Sequence, residues 1–232
     1  MNEMYKLKNS WVEQAKVNKS KYEEMYKQSI ENPEEFWAEQ GESIDWYKKW
    51  DKVMNYNFNT ADIKWYEGGK LNVTYNCIDR HLESKGDQKA IVWESDDPNL
   101  EKSYTYNELH KEVSRFSNVL KKHGIKKGDV VIIYMPMIPE LSIAVLACAR
   151  IGAIHSVVFG GFAANELASR IDDSKAKIIL SASCGYEPGK TIAYKPLLKK
   201  AIELAKHKVE KCIIYQRKNF KADLDKNDID WN

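Results

Sequence analysis

The clearest hydrophobic pattern in the chain lies between Val130 and Asp173. Val130-Val131-Ile132-Ile133-Tyr134 is a short, almost unbroken apolar run after the turn signal Gly128-Asp129. A run of this kind suits a strand covered on both faces, as in a parallel sheet flanked by helices. Pro136 and Pro139 break the strand and open a helix, because proline fits a first helical turn whose N–H lacks a partner anyway. From Ile138 to Ile151 apolar residues surround nearly the whole helix, which predicts deep burial. Gly152 ends it, Ile154–Phe159 reads as the next strand, and Gly160-Gly161 turns the chain into a further helix. The result is a βαβ unit whose glycine turn sits where open α/β sheets place their ligands.

Period-two and period-3.6 patterns organise the rest. Ser20–Ile30 has helical spacing, and Asn32-Pro33-Glu34-Glu35 reads as a helix start with Asn32 as N-cap. The aromatic residues Phe36, Trp37, Trp46, Tyr47 and Trp50 follow among charges, and Trp65 to Lys70 reads as a turn. Asn72 is placed to cap a helix running to Leu82. Ala90–Trp93 and Ser103–Tyr106 read as short strands around the loop Asp96-Asp97-Pro98-Asn99. Leu109, Val113, Phe116 and Leu120 form the stripe of a helix from Asn107 to His123, stopped by Gly124. Ile178–Leu180 and Cys212–Tyr215 are predicted as buried strands, with a loop over Ser181–Thr191 and a helix over Pro196–Lys206 between them. Lys218 to Asn232 is polar and reads as a loop or frayed end. The alternation makes this an α/β protein with a largely parallel sheet flanked by helices, preceded by an aromatic-rich helical N-terminal segment.

Composition changes this picture little. With 43% hydrophobic residues, 30% charged residues and a net charge of +2, the chain can build a core and lacks the concentrated basic field of nucleic-acid binders. The aromatic-rich segment has no basic groove beside it, so rings anchoring a helical segment are favoured over a base-stacking platform. No run reaches the length needed to cross a bilayer, and the start lacks the apolar core of a secretory signal. Cys77, Cys148, Cys184 and Cys212 form no CxxC pair, which suits a reducing, cytoplasmic setting.

Phe159-Gly160-Gly161-Phe162 is the first chemical candidate. Glycines let backbone approach a bound group, and the following helix start favours an anion, although glycines also serve merely as tight turns. Cys184-Gly185-Tyr186-Glu187-Pro188-Gly189-Lys190 is the second; it follows a strand's carboxyl end, and Lys190 can neutralise phosphate as a point charge. His155 is expected to be packed in the core. The other histidines have no second metal ligand at supporting spacing, and Asp172-Asp173 reads as solvated or paired with Lys175. Ser181, Ser183 and Cys184 lack a GxSxG elbow and an identified base.

Three segments, YMPMIPE (Tyr134–Glu140), ACARIGAIHSVVFGGF (Ala147–Phe162) and ANELASRIDD (Ala164–Asp173), resemble the AMP-forming short-chain acyl-CoA synthetases. The likeness runs from about Tyr22 to Tyr215, and with SASCGYEPGK it is closer to propionyl-CoA than to acetyl-CoA synthetases. It implies a helical or irregular N-terminal segment over 1–85, including PEEFWAEQ and IDWYKKWDKV, and the first α/β subdomain of an AMP-binding domain over 86–232. It also implies a CoA site at Phe159, Gly160, Gly161, Phe162, Glu187, Pro188, Gly189 and Lys190. Acetyl-type relatives carry two arginines in the second loop; here Glu187 and Lys190 stand in their places, and propionyl-type relatives read EPGR.

By the same resemblance the parent enzyme activates acetate or propionate with ATP and Mg²⁺ and passes the acyl group to CoA. Its partners are those small molecules, with neither nucleic acid nor membrane among them. The family's phosphate loop, ribose-binding aspartate and mobile-domain lysine have no match here; the only Gly-Lys pairs are Gly69-Lys70 and Gly189-Lys190. The chain therefore reads as the N-terminal portion only, with no catalytic residues or metal ligands of its own, inactive alone and open to self-association. The ATP and Mg²⁺ sites are expected mostly outside it. The competing readings are a noncatalytic CoA- or nucleotide-binding module and a purely structural α/β fragment.

Overall fold

A computed structural model describes residues 5–95, 100–187 and 189–232; the predicted loop at 96–99 and Pro188 lie outside the described residues. The chain divides into two compact units, Met1–Leu71 and Asn72–Asn232.

In the first unit three helices, α1 (Asn9–Gln14), α2 (Lys19–Glu31) and α3 (Pro33–Gly41), precede an antiparallel hairpin of β1 (Lys52–Asn57) and β2 (Asp62–Glu67). Asn18 caps α2, its side chain accepting from the Lys21 N–H at 2.9 Å. Asn32 does not act as the predicted side-chain cap of α3: it still closes α2, and Pro33 starts the next helix behind it. The stretch Trp65–Glu67, read as turn, is the end of β2, and the chain turns at Gly68, with φ +78°. Trp46, Trp50 and Tyr66 form a ring cluster with centroids 4.9–5.2 Å apart. Gly41 lies against Trp50 and Tyr66, and Gly69 lies against Trp46. The rings can close up because no Cβ stands at either position.

In the second unit Asn72 does two jobs. Its carbonyl oxygen accepts from Thr74 and Tyr75 N–H at the start of α4 (Val73–Cys77). Its amide donates to the Ala149 and Arg150 carbonyls at 3.0 and 3.2 Å. The predicted helix to Leu82 is broken by a 3-10 turn at Asp79–His81 before α5 (Leu82–Lys85). β3 (Lys89–Glu94) and β4 (Glu101–Thr105) pair antiparallel and lead into α6 (Tyr106–Lys122). A capping box starts α6: the Thr105 hydroxyl accepts from Glu108 N–H, and the Glu108 carboxylate accepts from Thr105 N–H at 2.8 Å. This places the helix start one residue before Asn107.

Next come β5 (Val130–Met135), α7 (Pro139–Ile151), β6 (Ile154–Phe159), α8 (Ala164–Ser174) and β7 (Ile178–Ala182). A small hairpin of β8 (Cys184–Glu187) and β9 (Lys190–Ala193) follows, then α9 (Tyr194–Leu204), β10 (Lys211–Tyr215) and β11 (Asp228–Asp230). The main sheet has the order β11-β10-β7-β5-β6, with every neighbour parallel. The strands predicted at 130, 154, 178 and 212 therefore share one sheet in the expected α/β architecture.

Two expectations are corrected here. The loop predicted over 181–191 holds the end of β7 and the β8–β9 hairpin. The polar tail returns to the sheet as β11, and Trp231 stacks on Phe116 at 3.7 Å. Only Ile229 and Trp231 are apolar near its end, and their alternation is the period of a strand.

The sheet separates two cores. Val131, Ile133 and Met135 of β5 face α6 and α7, with Phe116, Leu120, Ala144 and Cys148. Ile132 and Tyr134 face α8 and α9, with Leu167, Ile171 and Leu198. Helix α7 is not buried all round as its composition predicts: Ile143, Ala144, Ala147 and Cys148 are buried, whereas Leu141, Val145 and Leu146 are only partly covered. Strand β6 is an edge, and Ile154, Val157 and Phe159 are 54, 48 and 67% exposed. His155, expected in the core, is exposed on this edge.

Two measurements check these local causes. Thr105→Ala removes the α6 cap and is expected to cost about 1 kcal/mol in denaturant unfolding. Asp129 is held below the usual carboxylate range by its bond to Lys177, 2.8 Å away, and by the Lys126 N–H. A depressed carboxylate stabilises the fold fully above its unfolded value of about 4 and loses that contribution as pH falls through its folded value. The Tm gap between wild type and Asp129→Asn should accordingly be present near neutrality and close on acidification; a gap independent of pH would contradict this account.

Candidate functional site

Because the sheet strands are parallel, their carboxyl ends gather at one edge. β5 runs out at Met135 into Pro136-Met137-Ile138, β6 into Gly160-Gly161, β7 through Ser183 into the β8–β9 hairpin, and β10 into Gln216-Arg217. Both glycine-containing segments singled out in the sequence therefore lie on the same rim. A cavity of about 380 Å³ opens there, lined by Trp93, Met137, Phe159, Gly160, Tyr186, Glu187, Tyr194 and Arg217 among others.

Tyr194 joins the two segments. It is buried at the start of α9, and its hydroxyl lies so close to Gly160 and Gly185 that a Cβ on either would collide with it. Burial pushes its pKa up to about 12, so the hydroxyl stays protonated at neutral pH. Tyr134 packs beside it with centroids 5.0 Å apart and donates to the Phe162 carbonyl at 3.0 Å. That bond anchors the Phe159–Phe162 turn, where Gly161 has φ +98°. Gly160 thus has a packing reason within the protein itself, since Met135 backbone also crowds it. Gly161 faces open space and is glycine for its backbone angle.

The second loop is self-neutralised. Lys190 Nζ lies 3.0 Å from the Glu187 carboxylate across the β8–β9 turn, and both side chains are largely exposed. Gly189 makes the turn with φ +76°. Ser183, considered with Ser181 and Cys184 as a nucleophile, is committed to structure: its hydroxyl donates to the Phe220 carbonyl at 2.7 Å and accepts from Arg217 N–H at 2.9 Å. Asp172 accepts from the His207 backbone N–H at 2.8 Å, a structural partner other than Lys175. Among the described residues no group of three or more His, Cys, Asp or Glu side chains is placed to hold a metal ion.

Sequence reasoning missed Trp93, Tyr194 and Arg217. Trp93 belongs to the β3–β4 pair and donates to the Met137 carbonyl at 2.8 Å. Arg217 lies 4.2 Å over the Tyr186 ring. Neither has a local motif; they come together only because β3 and β10 end beside the same cleft.

A parallel α/β sheet with an aromatic cleft at its carboxyl edge is the architecture of nucleotide- and coenzyme-binding proteins. The comparisons make this specific. Residues 78–231 match the family described as AMP-binding enzyme, and residues 22–77 match the acetyl-coenzyme A synthetase N-terminus. The chain belongs to the AMP-binding enzyme family.

It is 51% identical over 221 residues to acetyl-coenzyme A synthetase of Marinobacter nauticus, covering 93% of this chain and 34% of that protein. To the acetyl-coenzyme A synthetase of Leptospira biflexa it is 49% identical over 218 residues, covering 94% and 33%. The chain thus spans about a third of the length of the curated relatives it matches. Acetoacetyl-CoA synthetase from Streptomyces lividans shares the fold, with a TM-score of 0.79 at 18% identity over 88% of this chain and 31% of that one.

The two glycines facing Tyr194 should behave differently. Gly160→Ala and Gly185→Ala each overpack the rim and are expected to cost about 1–3 kcal/mol. At Gly185 the three nearest atoms all belong to the Tyr194 side chain, whereas at Gly160 the Met135 backbone is also in the way. In a double-mutant cycle Tyr194→Leu should relieve most of the Gly185→Ala cost and leave most of the Gly160→Ala cost. Equal relief at both would refute the assignment.

Proposed function

We propose that this chain is the N-terminal part of an AMP-forming short-chain acyl-CoA ligase, with residues 86–232 forming the first α/β subdomain and the cleft at its sheet edge taking CoA. The observation that supports the reading is that Gly160 of the turn and Gly185 to Glu187 of β8 line one cavity on the same rim, both glycines packed against Tyr194. In the whole ligase a carboxylate, acetate or propionate, attacks ATP to give acyl-adenylate and pyrophosphate, and the CoA thiolate then displaces AMP. Mg²⁺, when bound, shields the phosphates in the first step.

The relatives' names favour acetate, while the Glu187-containing loop favours propionate. Phe159, Gly160, Gly161 and Phe162 would border the pantetheine arm. Glu187, Pro188, Gly189 and Lys190 would meet the nucleotide end, Lys190 exchanging its bond to Glu187 for phosphate. An exposed pair of this kind contributes at most about 1 kcal/mol, so the exchange is cheap. Four unpaired cysteines support a reducing, cytoplasmic setting. Among the described residues no helix is long and apolar enough to cross a membrane. The open apolar edge at β6 supports self-association.

The 232-residue chain alone is expected to make no acyl-adenylate. Its Gly-Lys pairs stand at a bridge after β2 and in a hairpin turn, neither of which is a phosphate loop. Acetate- or propionate-dependent pyrophosphate exchange by the purified chain would overturn this. In the longer ligase Lys190→Ala should raise the KM for CoA a few-fold and leave pyrophosphate exchange intact. Equal damage to both half-reactions would remove CoA from this loop.

A further inference from the structure

We propose that Arg217 is a binding residue for a phosphoryl oxyanion, held ready at the cleft by Tyr186. The inference deepens the CoA reading and rests on it for the source of the phosphate.

Arg217 is only 9% exposed. Its backbone is fixed by the bond from its N–H to Ser183 Oγ, one residue before the hairpin that carries Tyr186. Its guanidinium carbon lies over the Tyr186 ring, 4.2 Å from the centroid. Stacking satisfies the face of a guanidinium and leaves its in-plane N–H donors free. Among the described residues no hydrogen bond or ion pair reaches those donors.

Other arginines of the chain are treated differently. Arg150, also substantially buried, is held in a two-pronged pair with Asp79 at 2.7 and 3.1 Å, and Arg115 pairs with Glu112 at 3.0 Å. A guanidinium keeps its charge at any working pH, and the Arg217 donors open to the cleft, with no acid paired to them among the described residues, are placed to take an anion from outside.

The surroundings leave that place open. Arg217 lines both the 380 Å³ cavity and an adjoining one of about 260 Å³. Two described acids that line these cavities are engaged elsewhere: Glu187 by Lys190 and Glu140 by Lys102, each at 3.0 Å. Glu94 lines the first cavity and Glu101 the second, but both are exposed to solvent at the end of the β3–β4 pair and neither makes an ion pair with Arg217. Planar two-pronged donors beside aromatic walls match phosphate oxygens better than any neutral group.

The test uses the 232-residue chain with inorganic pyrophosphate, CoA and phosphate-free pantetheine as probes. Pyrophosphate should shift the Arg217 guanidinium ¹⁵N–¹H resonances in the wild type, a readout that needs no variant. Arg217→Met should weaken pyrophosphate and CoA by about tenfold or more and leave pantetheine unchanged, while Arg217→Lys falls between. Near-UV circular dichroism reports whether the variants keep their packing. Wild-type Arg217 resonances that stay still in millimolar pyrophosphate would overturn the proposal, as would a folded Arg217→Met that binds both probes like the wild type. CoA binding that ignores Arg217 sinks this inference and spares the CoA reading. Arg217-dependent pyrophosphate binding without CoA binding does the reverse.

Discussion

Strand β5 supports both cores at once. Val131, Ile132, Ile133, Tyr134 and Met135 are all essentially removed from water, the odd positions toward α6 and α7 and the even ones toward α8 and α9. Each such side chain contributes about 1.5–3 kcal/mol by burial, so the strand is a large share of what holds the sheet together. A one-residue slip of β5 against β6 or β7 would exchange the two sets, putting Tyr134 among the small residues of α7 and taking its hydroxyl from Phe162. Register in the sheet and geometry at its edge are therefore one constraint.

At that edge bulk and space are matched residue by residue. Tyr194 fits because Gly160 and Gly185 have no side chain, and Tyr134 fits under the Phe162 carbonyl. The same economy appears in the first unit, where Gly41 and Gly69 admit the rings of Trp50, Tyr66 and Trp46. In both places the glycines make room for aromatic rings, which bury far more area than the chain could gain from small side chains.

The charges of the rim differ in how they are held. Lys190 and Glu187 meet in water, where their attraction is weak and easily exchanged. Lys102 reaches the buried Glu140, so that carboxylate is compensated where water cannot do it. Arg217 is mostly covered and lies over Tyr186, with no acid paired to it among the described residues. The rim thus combines an exchangeable surface pair with a guanidinium that, among the described residues, has no acid partner.

The sequence by itself determined the parallel α/β core, because an unbroken apolar run, a proline-led helix and a glycine stop each leave a local signature whatever surrounds them. It also placed Gly160-Gly161 and the 184–190 loop at strand ends, since position along a βαβ unit follows from order alone. Tertiary structure decided the rest. The Asp228–Asp230 strand exists because Ile229 pairs beside β10 and Trp231 stacks on Phe116, more than a hundred residues earlier, and two alternating apolar residues alone are too weak a signal to announce it. The β1–β2 hairpin was hidden because its aromatic and charged residues alternate too weakly to separate from a turn-rich segment. Helix α7 turned one side out because only part of its apolar circumference meets another element. His155 became exposed because, among the described residues, little packs over either face of β6 at the end of the sheet. Trp93, Tyr194 and Arg217 joined the site through the ends of three separate elements, and such convergence depends on chain topology in space, which spacing along the sequence does not carry.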